Sequence, residues 1–85
     1  MWRFSISARV DPQTLPRLVA GFAQRAIVPH EMTMQIAGDT MRVDVAVSDL
    51  PPAQADIIAA KLRELFAVTA VVSAPCAAAV KPGQP

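Results

Sequence analysis

At the start of the chain the apolar side chains fall on even positions, Trp2, Phe4, Ile6, Ala8 and Val10, with Arg3, Ser5, Ser7 and Arg9 between them. A period of two places the apolar set on one side of a strand, so Trp2 to Val10 is expected to be a strand with one buried face. The period then changes. Leu15, Leu18, Val19, Phe22, Ala23 and Ala26 recur at steps of three and four, the spacing of a helix with one apolar side, while Arg17, Gln24 and Arg25 fall opposite. Pro12 and Pro16 confine the start of that helix, because proline lacks an N–H and is tolerated only in a first turn. Regular helix is therefore expected from about Pro12 or Gln13 to about Arg25.

Pro29 forbids continuation, and beyond it Met32, Met34 and Ile36 alternate with Thr33 and Gln35. Ala37-Gly38-Asp39-Thr40 reads as a tight turn, followed by a further alternation of Met41, Val43, Val45 and Val47 with Arg42, Asp44 and Ala46. Two strands joined by a hairpin account for this stretch. Asp49-Leu50-Pro51-Pro52 breaks the pattern and opens a second helix. In it Ala55, Ile58, Ala59, Leu62, Leu65 and Phe66 share one side, and Asp56, Lys61, Arg63 and Glu64 face water. Val68 to Ser73 is short and β-branched, a fourth strand. The Pro/Ala-rich remainder, 74–85, has no periodic apolar face and is expected to be a disordered tail on a domain spanning 1–73.

The order βαββαβ, with right-handed crossovers, implies an α+β ferredoxin-like two-layer sandwich: a four-stranded antiparallel sheet with two helices on one face. Its inner side takes the even residues of the first strand with Met32, Met34, Ile36, Val43, Val45 and Val47. Its outer side takes Arg3, Ser5, Ser7, Arg9, Thr33, Gln35, Arg42, Asp44 and Ala46.

Composition sharpens this picture in one respect. The chain has 85 residues, 53% hydrophobic and only 18% charged, yet a domain of this size buries only about 60% of the surface of its unfolded form. Some of the apolar surplus is expected to meet another subunit. The net charge of +1 comes from cations scattered among acids, with no basic stripe for nucleic acid. Cys76 is the single cysteine and pairs with no other, which fits the cytoplasm. The N-terminus lacks the apolar core of a signal peptide. Phe66 to Val80, the longest mostly apolar run, is too short to span a membrane.

Candidate chemistry is sparse. The outer sheet face carries no aromatic on which a base would stack, the loop after the first strand has no paired cysteines, and no glycine-rich phosphate loop occurs. His30 is the only histidine and has no nucleophile placed to pair with it. Neither an enzyme, a metal site nor a bound cofactor is expected. What remains is the corner Val10-Asp11-Pro12-Gln13-Thr14, where strand gives way to helix. Such corners present backbone N–H groups that receive an anion or an amino-acid carboxylate, so this one is expected to form the rim of a small-molecule site.

The run from Asp11 through Leu15-Pro16-Arg17-Leu18-Val19, then Phe22-Ala23-Gln24-Arg25-Ala26-Ile27-Val28 and Met32-Thr33-Met34, resembles the ACT domain of the small regulatory subunits of acetolactate (acetohydroxyacid) synthase. Leu62-Arg63-Glu64-Leu65-Phe66-Ala67-Val68-Thr69-Ala70-Val71 is similar to the closing segment of that family. The resemblance covers Trp2 to Ser73 and is nearest to the short small subunits. It implies a cytoplasmic, non-catalytic subunit of branched-chain amino-acid biosynthesis that activates or stabilises the large catalytic subunit. It also implies a homodimer paired through edge strands, with a valine-like effector bound between protomers. By position, the effector-binding residues it implies are Val10, Asp11, Gln13 and Thr14, faced across the interface by Ile27, Val28 and His30. Two positions depart from the family: Gln13 stands where valine-responsive members have glycine, and Ala26 stands at the glycine of the helix end. The alternative is a free-standing ACT-domain amino-acid sensor acting on another enzyme or regulator.

Overall fold

The computed structural model describes residues 1–75. Six elements follow the expected order: β1 (Trp2–Arg9), α1 (Thr14–Ala23), β2 (Glu31–Ala37), β3 (Thr40–Val47), α2 (Pro52–Arg63) and β4 (Val68–Pro75). The strands form one sheet in the order β2-β3-β1-β4, with every neighbouring pair antiparallel. This is the ferredoxin-like sandwich.

Register explains where the core sits. Phe4 lies opposite Val45, Ile6 opposite Val43 and Ala8 opposite Met41, while Ile6 also faces Val71 across β4. All of these are buried, and all but Ala8 meet Leu18 and Phe22 of α1 and Ile58 and Leu62 of α2 in one cluster. Phe4 and Phe22 pack edge to face with ring centroids 5.6 Å apart, a geometry that suits their quadrupoles. Pro52 opens α2 at a position where its missing N–H costs nothing. The β2–β3 hairpin turns on Gly38 and Asp39, with Gly38 at φ +59°, a backbone conformation that glycine adopts without strain.

Five features depart from what the sequence predicts. Met34 and Ile36 have the inward parity expected of them, yet they are 44% and 53% exposed. The reason is their strand. β2 is one of the two sheet edges, and the helix pair centres on β1, β3 and β4, so a period of two sets the face of a residue but not whether that face is covered.

The second departure concerns Phe66. α2 ends at Arg63, before Leu65 and Phe66, and the Phe66 ring stands in the α2–β4 loop at 80% exposure. Third, Ala46 points to the outer face but is buried. It lies between Arg3 of β1 and Glu31 of β2, and its carbonyl accepts the His30 N–H at 2.7 Å.

Fourth, β4 runs to Pro75, past Ser73, because Ala74 and Pro75 continue the pairing with Arg3 and Trp2. The rest of the expected tail, with Cys76, lies outside the described residues. Helix α1 also starts later than its periodicity implied, at Thr14, since Asp11 turns the chain ahead of it.

The end of α1 carries strain. Ala26 has φ +58°, the left-handed region that costs a side chain roughly 1–2 kcal/mol. Its N–H donates to the Ala23 carbonyl at 3.0 Å, and the Ile27 N–H donates to the Phe22 carbonyl at 3.0 Å. This pair of bonds is a Schellman closure, with the Ile27 side chain packed against the core.

Candidate functional site

The corner between β1 and α1 is held from two sides by backbone bonds of distant segments. The Arg9 N–H donates to the Ala67 carbonyl of the α2–β4 loop at 2.8 Å, and the Val10 N–H donates to the Asp39 carbonyl at the hairpin tip at 3.0 Å. Thr14, the one buried polar residue of the described chain, closes the corner by donating from Oγ1 to the Arg9 carbonyl at 3.3 Å. The corner is therefore a fixed shelf, supported by the hairpin on one flank and by the α2–β4 loop on the other.

Its amides, however, are largely occupied. The Gln13 N–H donates to Asp11 Oδ1 at 2.8 Å, the Thr14 N–H donates to the Asp11 carbonyl and the Arg17 N–H to the Gln13 carbonyl. Pro16 has no N–H. The Asp11 and Leu15 amides are left for an incoming anion, so the carboxylate cradle expected here is partly filled by the chain's own Asp11. The side chain of Gln13 is engaged as well, its Oε1 accepting from Arg17 Nη2 at 2.6 Å.

Beside this shelf lies a cleft of about 140 Å³ lined by Asp11, Gln13, Thr14, Arg17, Leu65, Phe66, Ala67 and Val68. Arg17 brings a guanidinium, Asp11 a carboxylate, and Leu65, Phe66 and Val68 an apolar wall. A zwitterion with an aliphatic side chain requires those three functions. The guanidinium of Arg9 stands 5.8 Å from the Phe66 ring centroid, close enough to hold the exposed ring over the rim.

Arg17 and Phe66 were not among the residues the sequence singled out. Arg17 was legible in principle, one helical turn beyond Gln13 and hence on the same side of α1. Phe66 was masked because its spacing fits the apolar stripe of α2.

The sequence profile of the ACT-like domain family matches residues 1–80. The chain is an ACT-like domain. Solved structures agree on the fold. The ACT domain of a GTP pyrophosphokinase from Chlorobium tepidum superposes with a TM-score of 0.72 at 9% identity, over 86% of this chain and 95% of that one. Its solution structure gives 0.76 at 8% identity, over 89% and 86%. The C-terminal domain of the MgtC protein from Mycobacterium tuberculosis gives 0.64 at 21% identity, over 86% and 83%. No curated protein sequence matches the chain.

In this ACT-like domain the seven expected site residues divide into two groups. Asp11, Gln13 and Thr14 line the cleft, and Val10, half exposed, stands at its shoulder with its N–H committed to Asp39. Ile27, Val28 and His30 lie at the other end of the sheet, where His30 bonds to Ala46 beside Arg3. From Arg3 to Arg9 is six residues of strand, about 20 Å. One protomer does not bring the two groups together. Val28 is 86% exposed, whereas Ile27 packs against the core.

Among the described residues no three His, Cys, Asp or Glu side chains converge as metal ligands. No helix there is long and apolar enough to cross a membrane.

Proposed function

We propose that this ACT-like domain is a non-catalytic regulatory subunit of acetolactate synthase in branched-chain amino-acid biosynthesis. On this reading it works in the cytoplasm and pairs with itself through β2. It activates or stabilises the large catalytic subunit and takes a valine-like amino acid where two protomers meet. ACT-like domains serve regulation rather than catalysis, and the resemblance of residues 11–34 and 62–71 to the synthase small subunits supports the choice of enzyme.

The observation that carries the reading is the edge strand. β2 offers an unpaired backbone edge together with the half-open side chains of Met34 and Ile36, a combination that monomeric proteins avoid. Pairing two β2 strands antiparallel about a two-fold axis perpendicular to the sheet gives a continuous eight-stranded sheet and turns one protomer end for end. The partner's α1–β2 connection then comes to the same end as the Asp11–Thr14 shelf. The two halves of the expected site, about 20 Å apart in one chain, are in this way brought to one end of the dimer.

Reconstitution tests the proposal. Added to the thiamine-dependent large subunit of the same organism, the protein should raise its specific activity or change its response to valine. If neither changes and the two proteins do not co-elute, the assignment to this enzyme is wrong.

A second reading, an ACT-domain amino-acid sensor for another enzyme, is favoured by the ACT fold of the GTP pyrophosphokinase domain, which belongs to an enzyme of different chemistry. Calorimetry of the protein alone against a panel of amino acids separates the two, since a sensor binds tightly with no synthase present.

A further inference from the structure

The face of the sandwich opposite the open sheet carries a second, larger hollow, a groove of about 380 Å³ between α1 and α2. Gly21 of α1 lines it where Leu62 of α2 comes near. A Cβ added to Gly21 would stand 3.3 Å from Leu62 Cδ2, and without one the floor stays open and apolar.

Three cations, Arg17, Arg25 and Lys61, stand around that floor with a single acid, Glu64. None of the three pairs with a carboxylate among the described residues, where the one ion pair joins Arg42 and Asp44 on the outer sheet face. An apolar floor with unneutralised cations on its rim is complementary to a ligand that is itself apolar along one side and acidic along its margins.

We propose that this groove docks an acidic amphipathic segment of a partner protein. Arg17 lies in α1 and Arg25 two residues beyond its end at Ala23; continuing the helical rise over the eight residues between them puts them about 12 Å apart along the axis. Carboxylates four residues apart on an extended segment, about 13 Å, span that distance with apolar side chains between them to reach Leu62. A second copy of this chain is a poor occupant, because its seven acids are dispersed singly and form no such run. Self-pairing through β2 leaves the helix face free. The inference goes beyond the regulatory reading, since it names a surface and a chemistry that hold whichever enzyme is the partner.

The test uses the full chain, labelled with nitrogen-15, and a synthetic peptide of about fifteen residues carrying Glu at every fourth position with Leu between. Two control peptides have Lys in place of Glu, or Gly in place of Leu. The Glu/Leu peptide should shift the amide resonances of Gly21 and Leu62 and bind more weakly as salt rises. Arg25→Glu combined with Lys61→Glu should weaken it about tenfold or more. Arg25→Gln with Lys61→Gln serves the same purpose if the reversed pair does not fold.

The inference is overturned if the peptide does not bind, or if the shifts fall on the sheet face. It also fails if the Glu/Gly or Lys/Leu peptide binds as tightly, or if the charge changes leave affinity unaltered. Success of reconstitution with failure here would leave the regulatory reading standing and remove only this surface.

Discussion

The carboxylate of Asp11 accepts the N–H of Gln13 at 2.8 Å, two residues further along the chain. That short bond decides what the β1–α1 shelf offers. It turns the chain into α1 ahead of two prolines, and it occupies an amide that a bound carboxylate would otherwise take. An amino acid docking at this end would meet fewer free amides and would lean on side chains such as the Arg17 guanidinium on the wall of the cleft.

Removing the Asp11 acceptor should therefore cost stability. Asp11→Ala is expected to destabilise the domain by about 1 kcal/mol, whereas Asp11→Asn, which keeps an oxygen acceptor, should cost much less. Urea denaturation followed by circular dichroism distinguishes the two.

Ala26 presents the opposite case. Its φ of +58° is held by the two bonds that close α1, and glycine takes this conformation without the Cβ clash. Ala26→Gly should raise stability by roughly 1 kcal/mol with no change in fold. An unchanged or lower denaturation midpoint would show that the turn is not strained in solution.

Two phenylalanines separate core from rim. Phe22→Ala removes a fully buried ring in contact with Phe4 and should cost about 3–5 kcal/mol, most of what a domain of this size has to lose. Phe66→Ala, at a ring 80% exposed, should stay within about 0.5 kcal/mol. Thermal melts of the two variants should differ sharply, and a large loss for Phe66→Ala would mean that the α2–β4 loop supports the core.

Self-pairing through β2 is checked at Met34 and Ile36. Met34→Lys with Ile36→Lys should convert a dimer to a monomer in light scattering, because inward-facing lysines block edge pairing. Both positions are half exposed in the single chain, so the monomer should keep its secondary structure. A variant that remains dimeric would place the interface elsewhere.

The alternations in β1 and β3 and the helical spacing in α1 and α2 determined the elements, their order and the parity of almost every inward residue, because those signals are local and depend only on the geometry of strand and helix. Sequence also pointed to the Asp11–Thr14 corner, through its prolines and its change of period. Tertiary structure decided the rest. Strand order left Met34 and Ile36 at an open edge, the end of α2 at Arg63 released Phe66 from the core, and the packing of Arg3, His30 and Glu31 around Ala46 buried an outward alanine. Each of these depends on which segments become neighbours. The same holds for the shelf. A run of residues showed where strand meets helix, but only the folded chain, with Asp39 and Ala67 holding Val10 and Arg9 and with Asp11 turned onto Gln13, determined that most of its amides are taken and that Arg17 lines the cleft.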